Sequence, residues 1–505
     1  MRIFLDEVYD RRINVLSFVA SKRQEVSLTE IAEATNLSKK TVSIIIRQFE
    51  QELNVTDEYF KVTYVHRTLQ SVYANNLDLV SISNNYLKMS ILYKMIRHIF
   101  LMERIDAITF CDLEFISPAT FSRHRRRLQK ILNQCGLNLT RSNEITGDEL
   151  RIRNFFFLFF ANASGNWDFE TRIYNEINEY FGQRIQGWYE LNSIKKSKLC
   201  LIIYICNVRF SQKKVIEKSI LTDLARKFQT GTHTRVIFDY FHLKKNRSEN
   251  QAWDETSAAL FLLYKERLAE EENFEIEVYQ NFFNEYNFPL VNYSHLLAEK
   301  LIDVFFQTND RSTIYWHIRK EIDMMHLLME TCFIDPRMFY YIYDERSFFY
   351  ADKTEQKIKI KIRKVIEQLI TETEYGNFFE TIKEFTAEEV LIDYTYLITY
   401  TMLVKFLQVD FPKVRILIQN SKVFVEPILS KKITLLFGNK VEFVKNQFSS
   451  PDIIVTDTKL MESDSNVKEI FIASFSNSSD FSLMLEEIRK KIIEHYTNRK
   501  PCNLE

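Results

Sequence analysis

The 505 residues carry 67 basic and 68 acidic side chains, a net charge of −1, so any grip on nucleic acid must come from a local basic face. Only 8 Gly and 7 Pro occur; this scarcity predicts long helices and excludes an all-β fold, and neither GxxxxGK[ST] nor GxGxxG is present. A hydrophobic content of 46% is ample for about three to five packed domains.

Asp6, Glu7, Asp10, Arg11 and Arg12 leave no signal-peptide core near the start. The six cysteines, Cys111, Cys135, Cys200, Cys206, Cys332 and Cys502, form no CxxC, which predicts reduced thiols. The apolar run Asn154 to Ala163 is far shorter than the about 20 residues that span a bilayer and reads as a buried helix. A soluble, cytoplasmic protein without membrane contact, cofactor or bound metal is expected.

The first patterned element is Ser27-Leu28-Thr29-Glu30-Ile31-Ala32-Glu33-Ala34-Thr35-Asn36-Leu37-Ser38-Lys39-Lys40-Thr41-Val42. It predicts an apolar helix capped by Ser27 or Thr29, a turn at Asn36, and a second helix capped by Ser38. On that second helix Val42, Ile45, Ile46 and Phe49 share one side. Ser38, Lys39, Lys40, Thr41, Ser43, Ile44, Arg47 and Gln48 are the candidate DNA contacts, Ile44 against a thymine methyl. Tyr59 to Val65 alternates enough for a hairpin, the wing. This is how a helix-turn-helix reads; an ordinary helical hairpin with a solvated face is the alternative. From Leu77 to Glu103, Leu87, Ile91, Met95, Ile99 and Met102 recur at helical spacing and predict an amphipathic linking helix.

The pattern returns between Ile108 and Leu132, around Ile116-Ser117-Pro118-Ala119-Thr120-Phe121-Ser122-Arg123-His124-Arg125-Arg126-Arg127-Leu128. Pro118 suits a first helical turn. Phe121, Leu128, Ile131 and Leu132 point inward, with His124 toward that side as a packing residue. No acid lies between Ala119 and Lys130. Ser117, Thr120, Ser122, Arg123, Arg125, Arg126, Arg127 and Lys130 form the candidate DNA face, and phosphates and guanine edges are the natural anions for such a cluster. Asn138–Arg141 and Glu149–Arg153 read as two wing strands with Gly147-Asp148 at the turn, which would let Arg141, Arg151 and Arg153 reach phosphates.

Residues 158 to about 400 read as helix after helix, with two roughly similar stretches at Leu199–Phe210 and Ile314–Leu327 that suggest two helical bundles. No catalytic constellation occurs there. His233, His242, His295, His317 and His326 are the histidines of this region; each reads as an ordinary core or surface residue, or as a phosphoacceptor whose modification would re-pack an interface. After Pro412 the period changes. Val414–Gln419, Val441–Val444, Asp452–Thr456 and Glu469–Ala473 read as strands, Val423–Leu436 and Phe481–Tyr496 as helices, which predicts a small α/β domain with a mostly parallel sheet.

The expected fold is therefore mainly α and multidomain: winged helix-turn-helix domains at 1–70 and 71–157, helical bundles at 158–280 and 281–405, and an α/β domain at 410–505. This order of parts, and above all Ser27–Phe49 and Ile116–Arg153, resembles the Mga/RofA-like family of virulence transcription regulators of Gram-positive bacteria, close to the AtxA type. The resemblance implies that the bundles are regulation domains of the sugar phosphotransferase system (PTS), that the tail is EIIB-like, and that the protein dimerises through its C-terminal half. It also implies histidine phosphorylation by phosphocarrier proteins, with His317 and His326 as first candidates and His233 and His242 as weaker ones. EIIB enzymes carry a phosphorylated Cys just after the first strand; Asn420 and Ser421 stand there here, so the tail is expected to bind rather than transfer phosphate. The expected function is a non-enzymatic, dimeric regulator of promoter DNA, an activator of virulence or surface-protein genes. The alternatives are a phosphotransferase-type phosphocarrier and a helical interaction scaffold.

Overall fold

A computed structural model describes the chain through residue 497, apart from residues 23, 53–59, 75–76, 164–166, 186–187, 189–192, 217–219, 228–231, 266–288, 307–310, 340–352, 407–412, 420–424, 446–448, 458–466 and 472–477. The fold is mainly α and multidomain. The chain divides into two compact units: Met1–Leu290 with Met324–Tyr343 and Phe378–Val390, and Val291–Asp323 with Asp344–Asn377 and Leu391–Glu505.

The first unit opens with α1 (Glu7–Lys22), β1 (Val26–Ser27), α2 (Leu28–Thr35), α3 (Lys39–Glu52), β2 (Phe60–Val65) and β3 (Thr68–Ala74). The strands form an antiparallel sheet in the order β1-β3-β2, with Val26 and Val62 both opposite Val72. Val15, Leu16, Val19, Ile31, Val42, Ile46 and Phe49 close one core with Phe60, Leu69 and Val72. The inward stripe expected on α3 is the stripe that is buried. The wing is longer than its alternation suggested: β2 ends at Val65 and the hairpin returns through β3. Its two-residue loop, His66-Arg67, has φ of 50° and 65°, the primed turn that matches strand twist.

The expected linking helix is two helices, α4 (Leu79–Met89) and α5 (Ile91–Met102). The break is at Ser90, whose φ of −73° and ψ of 140° are extended and whose hydroxyl donates to the Tyr86 carbonyl at 2.9 Å. Then come α6 (Ala107–Glu114), α7 (Pro118–Gln134), β4 (Asn138–Leu139), β5 (Ile145–Thr146) and α8 (Glu149–Ala163). The second wing is thus only two residues per strand, and the segment Glu149–Arg153 is helix, not strand. Asp148 explains the start of α8: its carboxylate accepts the Arg151 N–H at 2.8 Å. The Phe155–Phe160 run of α8 is buried, as expected for a helix apolar all round.

The helices α9 (Thr171–Gly182), α10 (Ser193–Ser211), α11 (Ile220–Lys227), α12 (Thr232–Asp239) and α13 (Glu249–Lys265) follow. Here α10 lies against α8 and α13, and α13 against α11 and α12.

In the second unit β6 (Val414–Gln419), β7 (Val441–Val444), β8 (Ile453–Thr456) and β9 (Lys468–Phe471) form a parallel sheet in the order β7-β6-β8-β9. Leu429 and Ile433 of the helix Val425–Phe437, and Met484 and Ile488 of the helix Ser478–Thr497, cover it. The boundary residue Pro412 and the EIIB positions Asn420 and Ser421 lie outside the described residues, as do Tyr59 and Cys502. No described helix is long and apolar enough to cross a membrane.

Candidate nucleic-acid interface

Two helix pairs share one local design. Ser27 caps α2, accepting the Glu30 N–H at 3.2 Å; Asp106 caps α6, accepting the Thr109 N–H at 2.9 Å. Each first helix ends on a left-handed residue, Asn36 with φ of 54° and Phe115 with φ of 53°. The next N–H closes the turn: Leu37 donates to the Ala32 carbonyl and Ile116 to the Cys111 carbonyl, both at 3.0 Å. Ser38 then accepts the Thr41 N–H, and Ser117 the Thr120 N–H, both at 3.1 Å. Asn is at home in the left-handed region, whereas Phe is unusual there; Phe115 is 95% exposed and has no burial to offset it.

These caps give Ser38, Thr41, Ser117 and Thr120 a structural job beside any contact with DNA. The helix N-termini they finish present N–H groups and a positive dipole end, a ready site for a phosphate. Ser117→Ala removes the cap of α7 and is expected to lower stability by about 1 kcal/mol, read as a fall in the thermal midpoint; an unchanged midpoint would show that the cap is dispensable.

Beyond the caps the outward faces differ. On α3, Lys39, Lys40, Arg47 and Gln48 are exposed, Ser43 is half-buried, and Ile44 is 47% exposed. Arg47 donates to the Arg67 carbonyl at 3.2 Å and Tyr64 donates to Glu50 at 2.6 Å, so the first wing is clamped against its recognition helix. His66 and Arg67 are exposed at the wing tip. Sequence reasoning missed them, because no Gly, Asn or Asp marks that turn.

On α7, Ser122, Arg123, Arg126 and Lys130 are exposed, and Arg141 is exposed in the second wing. Arg125 is half-buried and occupied: its Nε donates to Asn143 Oδ1 at 2.6 Å and its Nη2 to the Thr140 carbonyl at 2.7 Å. It holds the second wing rather than facing outward. Arg127 is likewise half-buried and donates to the Ile3 carbonyl at 2.7 Å.

Arg151 and Arg153 are not at the interface at all. Because α8 replaces the expected strand, both turn inward. Arg151 lies 4.1 Å from the Phe385 ring centre and donates to the Thr331 carbonyl at 3.3 Å. Arg153 is fully buried, with both Nη atoms on the Glu255 carboxylate at 2.6 and 3.0 Å.

His124 faces inward on α7, as expected, and is 8% exposed. Burial pushes its pKa below the usual histidine value, the Asp6 carboxylate opposes this, and Arg123 and Arg127 add to it. His98 of α5 is shifted the same way by burial. An unfolded histidine binds its proton near pH 6.5, while these resist it, so their contribution to stability is held above that pH and lost as the pH falls below it. The thermal midpoint of the first unit is expected to drop between pH 7 and pH 5, and to drop less in His124→Asn. A pH-independent midpoint over that range would contradict the assignment.

The candidate phosphoacceptors are dispersed. His326 is 0% exposed against Phe378, which makes it the less accessible of the two first candidates. Asp323, three residues before it, accepts from Arg319 Nε at 2.9 and 3.0 Å. His317 is half-buried beside Phe406. His233 is half-buried on α12, and His242 Nδ1 lies 2.9 Å from the Arg247 carbonyl.

Residues 75–160 match the family described as the Mga helix-turn-helix domain. The match runs from α4 to the end of the phenylalanine run of α8 and so contains the α6–α7 pair. No curated protein matches the chain.

Proposed function

We propose that the chain is a DNA-binding transcriptional regulator, a reading supported by its match to the Mga helix-turn-helix domain, and that both helix pairs grip one promoter duplex. Residues Lys39, Lys40, Arg47 and the wing tip Arg67 act in the first module, and Arg123, Arg126, Lys130 and Arg141 in the second. One observation carries this reading: the cap, left-handed turn and second cap recur in both modules, the last two with matching distances, and each second helix keeps exposed basic side chains. Arginine-rich faces bind the backbone well, and AT-rich, bendable promoter DNA is then selected by shape.

The resemblance supports the finer reading: a non-enzymatic cytoplasmic activator of virulence or surface-protein genes, dimeric through its C-terminal half, with activity set by phosphocarrier proteins. Of the two first candidates, His317 is the one better suited to that control, since it is partly exposed and His326 is not. Sedimentation of the purified protein tests the dimer, and incubation with the general phosphocarrier proteins, followed by peptide mapping, tests His317. A monomer at all concentrations, or phosphate on none of the histidines, would remove those parts of the reading. Phosphate passed onward to a sugar would favour the phosphocarrier alternative.

A further inference from the structure

Both recognition helices are fastened to one stretch of chain, α1 and the residues that lead into it. On the first-module side, Arg12 of α1 donates to Glu52 at 2.6 Å and to Gln48 at 2.8 Å, both on α3. Tyr86 of α4 donates to the same Glu52 at 2.8 Å and its ring stacks on Tyr9 of α1 with centres 5.0 Å apart. On the second-module side the contacts come from the five residues before α1. The Ile3 carbonyl accepts from Arg127 of α7 at 2.7 Å. Asp6 N–H donates to Ser90 Oγ at 3.1 Å, and Asp6 Oδ2 accepts the Ile91 N–H at 3.2 Å, which caps α5. Asp6 Oδ1 faces His124 Nδ1 of α7 at 3.7 Å, and neither of these two buried atoms has a hydrogen-bond partner of its own.

The apolar side chains repeat the arrangement. Phe4, Leu5 and Ile13 sit in the core that holds Leu128, Ile131 and Leu132 of α7. Val15, Leu16 and Val19, within the next two turns of α1, sit in the core that holds Val42, Ile46 and Phe49 of α3. Helix α1 and its lead-in therefore belong to both cores at once.

We propose that α1 and residues 2–6 form a strut that fixes α3 and α7 in phase with one another, and that Asp6 is its positioning residue on the α7 side. The inference rests on the reading that both modules bind one duplex. Two modules on a rigid frame give the second a high effective concentration once the first is bound, and a loosened frame loses that gain. Coulomb's law alone gives the opposite expectation for Asp6, since removing an acid from a protein that binds a polyanion strengthens binding.

The test is binding of the full chain to a long AT-rich duplex across a salt series, for wild type, Asp6→Asn, Ser90→Ala and Glu7→Gln. Glu7 is exposed and adjacent to Asp6 in sequence, and its ion pair with Arg11 lies at the surface, so its loss removes one acid with little structural cost. The strut predicts that Asp6→Asn binds at least about tenfold more weakly than wild type, with a shallower salt slope, while Glu7→Gln binds as well as wild type or better. Ser90→Ala, which changes no charge, is expected to shift binding in the direction of Asp6→Asn and serves alone if Asp6→Asn does not fold. Asp6→Asn behaving like Glu7→Gln, or an unfolded Asp6→Asn beside an unchanged Ser90→Ala, would overturn the strut. Absence of binding by wild type at low salt would instead overturn the DNA reading on which it rests.

Discussion

Replacing Arg123, Arg126 and Lys130 together by alanine is expected to weaken binding to duplex DNA by roughly a hundred- to a thousand-fold near 0.1 M salt, and to flatten the salt slope by about 2.7, because each phosphate contact contributes about 0.9 to that slope. All three side chains are exposed on one helix and none has a carboxylate partner among the described ion pairs, so their removal leaves no buried charge behind and the fold should survive. Arg125 and Arg127 are poorer choices for this test, because their guanidinium groups hold the Thr140 and Ile3 carbonyls and their loss would mix structural damage with lost contact. Measurement is by fluorescence anisotropy on a labelled duplex, with circular dichroism to confirm folding. A triple variant with wild-type affinity and slope would remove α7 from the interface.

The second large effect lies away from DNA. Glu255→Gln is expected to destabilise the first unit by about 3–5 kcal/mol, the cost of leaving buried charge unpaired. Three guanidinium groups, of Arg153, Arg209 and Arg247, share two carboxylates, of Glu149 and Glu255. Glu149 takes Arg153 Nε at 3.0 Å and Arg209 at 2.7 and 2.9 Å. Glu255 takes both Nη atoms of Arg153, and Arg247 lies 3.4 Å from it. Burial lowers the pKa of Arg247, only partly countered by Glu255. For Arg153 burial acts in the same direction but is outweighed by Glu255, Cys206 and Glu149 together, which raise its pKa and keep the group charged. Without the Glu255 charge, Arg153 keeps Glu149 as its carboxylate and the Lys214 carbonyl at 3.0 Å, and Arg247 has no carboxylate in this cluster. Unfolding in urea reads the effect. Arg153→Met/Glu255→Leu should recover part of it, since a packed apolar pair replaces a buried ionic one with little loss. A Glu255→Gln protein as stable as wild type would show that the cluster is solvated.

The sequence made the recognition helices legible because each combines a capping serine with an apolar stripe of helical period, and Val42, Ile45, Ile46 and Phe49, like Phe121, Leu128, Ile131 and Leu132, are buried as their spacing requires. The second wing misled for a physical reason. Leu150-Arg151-Ile152-Arg153 alternates like a half-exposed strand, but a buried helix can also carry arginines if distant partners meet them. Those partners, Glu255, Thr331 and Phe385, are far along the chain, where no local pattern points to them. Asp148, next to Gly147, has the pattern of a turn residue but caps the helix start. The first wing tip escaped notice because His66 and Arg67 adopt positive φ without the glycine or asparagine that usually marks it. The break at Ser90 was equally silent, since it depends on Asp6, more than eighty positions upstream.

The most direct test of the central claim is the salt dependence of wild-type binding to a long promoter-like duplex. Two modules acting together on one duplex should give tight binding at low salt and a log–log slope of about −5 or steeper, as six or more phosphates are neutralised at once. No binding near 50 mM salt, or a slope close to zero, would contradict a regulator that grips DNA through both helix pairs.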